Sequence, residues 1–138
     1  MRIMVVDGQG GRIGSMFIEK WQKKGGDCSE VIAIGTNSVA TASMLKAGAS
    51  AGATGENPVV VNAKDADVIV GPIGIIATDS LLGEVTERMA AAVSGSRAKK
   101  ILIPMNNCDF IVMGIGEQKL TYLVDEAVER IEKMCYNC

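Results

Sequence analysis

The sequence predicts an α/β protein built on a doubly wound, mostly parallel sheet. Three observations predict it. Short unbroken apolar runs such as Ile3-Met4-Val5-Val6 and Val68-Ile69-Val70 are what strands buried on both faces look like. Between the runs lie segments whose apolar residues recur at helical spacing. The connections that follow the runs are made of Gly, Thr, Asn, Ser and Pro. Strand and helix in strict alternation, joined by right-handed crossovers, give a sheet with helices on both faces.

The elements follow in order. After the first strand, Ile13, Met16, Phe17 and Trp21 fall on one face of a helix, which stops at Lys23-Lys24-Gly25. Val31-Ile32-Ala33-Ile34 is the second strand. Ser38 is expected to cap the second helix, which carries Met44 and Leu45 and ends at Gly48. Only Ala51-Gly52-Ala53 marks the third strand. Asn57-Pro58 reads as a cap and a first helical position, although Val59-Val60-Val61 also suits a strand. The fourth strand is Val68-Ile69-Val70. The fourth helix is expected from Asp79 or Ser80, with Leu82, Val85, Met89 and Val93 on its apolar side and Gly83 as an early breaking point.

Ile101-Leu102-Ile103 is the fifth strand and Phe110-Ile111-Val112-Met113 reads as a sixth. The connection between them is shorter than the dozen or so residues a parallel crossover needs, so the sixth strand is expected antiparallel at the edge. Leu120, Leu123, Val124, Ala127, Val128 and Ile131 then describe a long amphipathic helix. The expected strand order is 3-2-1-4-5, with the sixth strand outside.

A chain of 138 residues suits one domain spanning 1–138. Hydrophobic residues make up 48% and charged residues 22%, an ordinary globular balance. The net charge of −2 comes with no basic run, so a nucleic-acid partner is not expected. No apolar stretch is long enough to span a bilayer, and the N-terminus reads as a strand rather than a signal peptide. Four cysteines show no secreted framework, which points to a cytoplasmic protein with reduced thiols. The terminal Cys135-x-x-Cys138 ends a helix rather than starting one, the wrong end for a redox pair, and no metal site is expected. Histidine is absent, which removes Ser-His-Asp and Cys-His chemistry.

Glycine is in excess, 16 of 138, and its placement is informative. The loops after the five strands would share one edge of the sheet, where such folds bind ligands. The sharpest of them is Gly8-Gln9-Gly10-Gly11-Arg12-Ile13-Gly14, a G-x-x-G-x-x-G run between a strand and an amphipathic helix. Gly8 would allow a tight turn, Gly10 or Gly11 a close approach of backbone to phosphate, and Gly14 close packing of the helix. Free N–H groups at the helix start, with Arg12, would meet an anion. Thr36, Asn37 and Ser38 after strand two are candidates for a ribose or phosphate, with Ser38 equally a plain cap. Gly71, Pro72, Ile73 and Gly74 after strand four, and Asn106 after strand five, complete the candidate site. The expected ligand is a nucleotide-type small molecule, NAD or NADP or a relative.

The run 6–14 resembles the nucleotide-binding loop of dihydrodipicolinate reductases, whose G-x-G-G-R-M-G-type turn holds NAD(P)H. That resemblance implies a dinucleotide-type Rossmann-like fold. The substrate domain and catalytic histidines of those enzymes have no counterpart in this sequence. Over nearly its whole length the chain resembles a bacterial family of small Rossmann-like proteins known as a domain of unknown function, on segments 7–14, 35–38, 46–57, 71–76 and 101–108.

Two features cut across a dehydrogenase. The end of strand two carries Thr36-Asn37 where NAD sites usually place an acid for the ribose hydroxyls. Tyr122 is followed four residues later by Glu126, so the Tyr-x-x-x-Lys pair of short-chain dehydrogenases is missing. Asp7, just before the loop, is expected to accept hydrogen bonds from loop amides. The sequence therefore supports a nucleotide-binding module. The alternatives are an NAD(P)-dependent oxidoreductase whose cleft is completed in a homo-oligomer, and a structural oligomer subunit without ligand.

Overall fold

The computed structural model describes residues 1–26, 29–105 and 110–136. Its five strands are β1 (Arg2–Asp7), β2 (Glu30–Gly35), β3 (Ala51–Thr54), β4 (Val68–Pro72) and β5 (Lys99–Ile103). They form one parallel sheet in the order β3-β2-β1-β4-β5, as expected. The helices are α1 (Arg12–Lys23), α2 (Ser38–Lys46), α3 (Glu56–Asn62), α4 (Glu87–Ser94) and α5 (Leu120–Tyr136), with a 3₁₀ turn at Ile73–Ile76 after β4.

The central strands alternate between two apolar layers because successive side chains on a strand point to opposite faces. Ile3 and Val5 of β1 join Val31, Val68 and Val70 under α1 and α5, where Phe17, Ile18, Trp21, Val128 and Ile131 are buried. Met4 and Val6 join Ile32, Ile34 and Ile69 under α3 and α4, with Val59, Met89 and Val93. Phe17 and Trp21 stack at a centroid distance of 6.1 Å. The chain thus crosses from one face to the other between β1 and β4, which opens the loops after these two strands in opposite directions. No helix among the described residues is long and apolar enough to cross a membrane.

Four local expectations are corrected. The run Phe110-Ile111-Val112-Met113 is not a strand and forms no sixth edge; it is irregular and exposed, Ile111 to 90%. A run of four apolar residues has no periodicity that separates a strand from a loop. Gly114 and Gly116, both at positive φ, then turn the chain toward α5. Helix α4 begins at Glu87 instead of near Asp79, capped by Thr86, whose hydroxyl accepts from the Met89 N–H at 3.2 Å. Val85, Met89 and Val93 are buried as the helical pattern requires, but Leu82 stands 95% exposed in a turn. Asn37, not Ser38, caps α2: its side-chain oxygen accepts from the Ala40 N–H at 2.9 Å. The valines 59–61 are helical, and α3 starts one residue before Asn57, with Gly55 in the cap position.

Gly71 is the glycine the sheet depends on most directly. A Cβ there would lie 2.2 Å from the Val6 carbonyl oxygen, which is backbone and cannot yield. Gly71→Ala is therefore expected to cost about 3 kcal/mol or more, at or above the upper end for overpacked interiors. Gly10→Ala, where a Cβ meets nothing within 4 Å, is expected to stay within about 0.5 kcal/mol of the parent. Urea unfolding followed by far-UV circular dichroism and by the fluorescence of Trp21 compares the two.

Candidate functional site at the carboxyl edge of the sheet

Because the strands are parallel, the loops that follow them lie on one edge. The loop between β1 and α1 is organised by Asp7, the last residue of β1, which is 5% exposed. Its carboxylate accepts the N–H of Gly8 and the N–H of Gly14, each at 2.8 Å. Burial pushes the Asp7 carboxyl up from its ordinary value, and the hydrogen bonds from the Gly14, Gly8 and Ile13 amides only partly offset it. The loop closes with Gly11 N–H on the Gly8 carbonyl at 2.8 Å. Gly11 takes φ 70°, and a Cβ there would strike the Ala40 backbone at 2.9 Å, so α1 starts hard against α2. Gly14 lies as tightly against Met44 and the Asp7 side chain. Ile13 is buried in the core.

The mouth of the loop is different. Gln9, Gly10 and Arg12 are exposed. Among the described residues, the N–H groups of Gly10 and Arg12 take no partner, and the Arg12 guanidinium has no acidic partner either.

Opposite this mouth stands a residue the sequence reading passed over. The Glu84 carboxylate accepts from the Gln9 N–H (3.2 and 3.1 Å to its two oxygens), from the Thr36 hydroxyl (2.9 Å) and from the Asn37 side-chain amide. Burial alone would raise Glu84, but the bonds from Asn37, Thr36 and Gln9 outweigh it and hold the carboxyl below its ordinary value of 4.5. Asn37 also donates to the Gln9 carbonyl at 2.9 Å. Thr36 and Asn37 are thus joined to the glycine loop through Glu84. Ser38 is exposed at the start of α2.

Glu84 arrives by an unusual backbone path. Asp79, Leu81 and Leu82 have φ of 64°, 55° and 57°, and Gly83 follows at 87°. Non-glycine residues in this region cost about 1–3 kcal/mol each and persist only where their surroundings impose them. The surroundings are explicit. The Asp79 N–H donates to the Val85 carbonyl at 2.8 Å, the Gly83 N–H to the Asp79 carbonyl at 3.0 Å, and the Ser80 hydroxyl to the Gly74 carbonyl. Leu81 lies over Gly8, where a Cβ would come within 2.8 Å of it and 2.5 Å of the Thr36 hydroxyl. Gly74 serves this segment by receiving Ser80, while Gly71 lets β4 approach β1. Pro72 ends β4 buried, and Ile73 opens the 3₁₀ turn. Asn106 falls outside the described residues, as do Asn107, Cys108, Cys28 and Cys138.

On the other side of Arg12 a cleft of about 490 Å³ opens between the start of α1, the end of β5 and the start of α5, lined by Ile13, Met105, Phe110 and Leu120 among others. The edge therefore carries, in sequence across it, a fixed carboxylate, two open backbone donors with a cation, and a cleft of mixed polar and apolar lining.

The sequence model of a family described as "Domain of unknown function (DUF3842)" matches residues 2–136. The chain belongs to this family. No curated protein sequence matches the chain. Among solved structures, the DUF3842 chain is similar to one described as a dodecameric FMN-dependent Ubix-like decarboxylase from Escherichia coli O157:H7. The identity is 14% and the TM-score 0.50, over 96% of this chain and 76% of that one. At that identity the likeness is one of fold alone.

The two carboxylates titrate with opposite sign. Glu84 ionises more readily folded than unfolded, so the unfolded chain binds more protons and stability rises with pH through this range. Its contribution is present above 4.5 and lost as pH falls through the lowered folded value. Asp7, raised from 3.8, loses stability as pH rises toward its folded value. The stability gap between the parent and Glu84→Gln is expected to be open at pH 7 and to close on acidification below 4.5; urea midpoints across pH 3–7 measure it.

Proposed function

We propose that the protein binds a nucleotide-type ligand with a phosphate over the Gly10–Arg12 stretch of the first loop. Gly10 is the observation that carries this reading. Gly8, Gly11 and Gly14 each have a packing reason to lack a side chain, since a Cβ would strike Thr36, Ala40 or Met44. Gly10 has none: it is exposed, has open space around it, and its own N–H takes no partner among the described residues. A glycine in that position suits close approach of a ligand to the backbone. Asp7 and Glu84 have already taken the amides of Gly8, Gly14 and Gln9. An anion is therefore received by the N–H groups of Gly10 and Arg12 and by the Arg12 guanidinium, at the positive end of α1.

The glycine loop's resemblance supports NAD or NADP as the ligand. The structural neighbour is described as FMN-dependent, which supports a flavin nucleotide of the same class. The cleft beside Arg12 would receive the part of the ligand beyond the phosphate. The neighbour is also described as dodecameric, which supports the expected homo-oligomer.

A thermal-shift panel of NAD⁺, NADP⁺, FMN, AMP and coenzyme A at millimolar concentration tests the reading. A ligand at 100 times its Kd is expected to add about 2.7 kcal/mol, and Gly10→Asp, whose Cβ has open space, is expected to fold and to abolish the shift. Melting temperatures unmoved by every member of the panel would overturn it.

A further inference from the structure

The ligand reading leaves one residue without a role: Glu84, fixed at considerable backbone cost at the carboxyl end of β2. Resting on that reading, we propose that Glu84 is the acceptor for a ribose hydroxyl of the ligand, the 2′-hydroxyl, and that it excludes ligands bearing a phosphate at that place. In sheets of this order an acid at the end of the second strand commonly takes the ribose hydroxyls. This chain has Thr36-Asn37 there and no acid. The structure brings an acid to the same place from a different segment, 48 residues further along, and bonds it to both residues.

The geometry suits an acceptor. One carboxylate oxygen is saturated by Thr36, Asn37 and Gln9, which locks the group in orientation. The second takes only the Gln9 N–H at 3.1 Å and keeps a free direction for a hydroxyl donor. Glu84 is half-buried, at the mouth of the loop. Among the described residues no Lys or Arg pairs with Glu84. A phosphate placed beside it would meet an uncompensated negative charge, whereas a hydroxyl would donate to it. The order across the edge also fits one molecule: a hydroxyl acceptor at Glu84, phosphate donors at Gly10 and Arg12, and the cleft beyond.

Isothermal titration with paired probes tests this on the whole chain. The parent is expected to bind NAD⁺ more tightly than NADP⁺, and AMP more tightly than 2′-deoxy-AMP. Each preference should be about ten- to a hundredfold, the range for a hydrogen bond to a charged acceptor. Glu84→Gln, with its fold verified by circular dichroism, is expected to erase most of both preferences while retaining phosphate binding. Equal affinity of the parent within each pair would overturn the proposal and leave nucleotide binding standing. Tighter binding of every probe by Glu84→Gln would also overturn it, because the carboxylate would then be a competitor for the loop and not a reader of the ligand. No binding of any probe would overturn this proposal together with the reading it rests on.

Discussion

One buried carboxylate ties the functional edge together. Asp7 closes the end of β1 onto the first turn of α1 by accepting the amides of Gly8 and Gly14. A charge removed from water is costly unless it is well paired, and here the pairing comes from backbone alone. That arrangement has two effects. It fixes the glycine loop without any ligand, so the loop is preformed. It also consumes part of the positive end of α1, so the donors left for an outside group shift outward to Gly10 and Arg12. The same loop in a chain without Asp7 would offer its amides more evenly and hold its shape less well.

The second carboxylate is set against the first. Glu84 raises Asp7 further by charge repulsion, the last and smallest of the effects on that group, while Thr36, Asn37 and Gln9 stabilise Glu84 itself. The edge therefore holds two acids close together with unlike tendencies: one inside, reluctant to ionise, and one at the mouth, ionised readily. The division follows from the partners each one has, backbone and burial for Asp7, polar side chains and partial exposure for Glu84. Sites that hold a ligand by both hydroxyls and phosphate need this kind of separation between acceptor and donor ground.

Much of this was legible in the residues. Alternation within Ile3-Met4-Val5-Val6 serves two apolar layers, and the spacing of Ile13, Phe17 and Trp21 is that of a helix face. The order of the strands follows from the doubly wound pattern of alternating strands and helices. The bond from Asp7 to the loop amides also follows from placing a short acid before a glycine turn. What stayed hidden was Glu84. Segment 79–85 reads as the start of a helix because Leu82, Val85, Met89 and Val93 keep helical spacing. Its actual course is imposed by contacts with Gly74, Thr36 and Asn37, which are distant or separately placed in sequence. Local pattern carries no trace of such a contact, and the strained φ at Leu81 and Leu82 has no signature in composition. The one clue was negative: a ribose-type position lacking its acid. The run 110–113 misled for a related reason, since apolar character without a neighbouring strand does not make an edge.

The wedge at Gly8 has an evolutionary consequence. A side chain at position 8 would press at once on those at 36, 81 and 84, so position 8 cannot enlarge without a change around it. A side chain at position 8 requires a smaller residue at 36 or 81. Loss of the acid at 84 releases the hydroxyl and amide at 36 and 37 from their present duty. Members of the family should therefore divide into lineages that keep the quartet intact and lineages that have exchanged it as a block, and that division would mark a change in what the edge recognises.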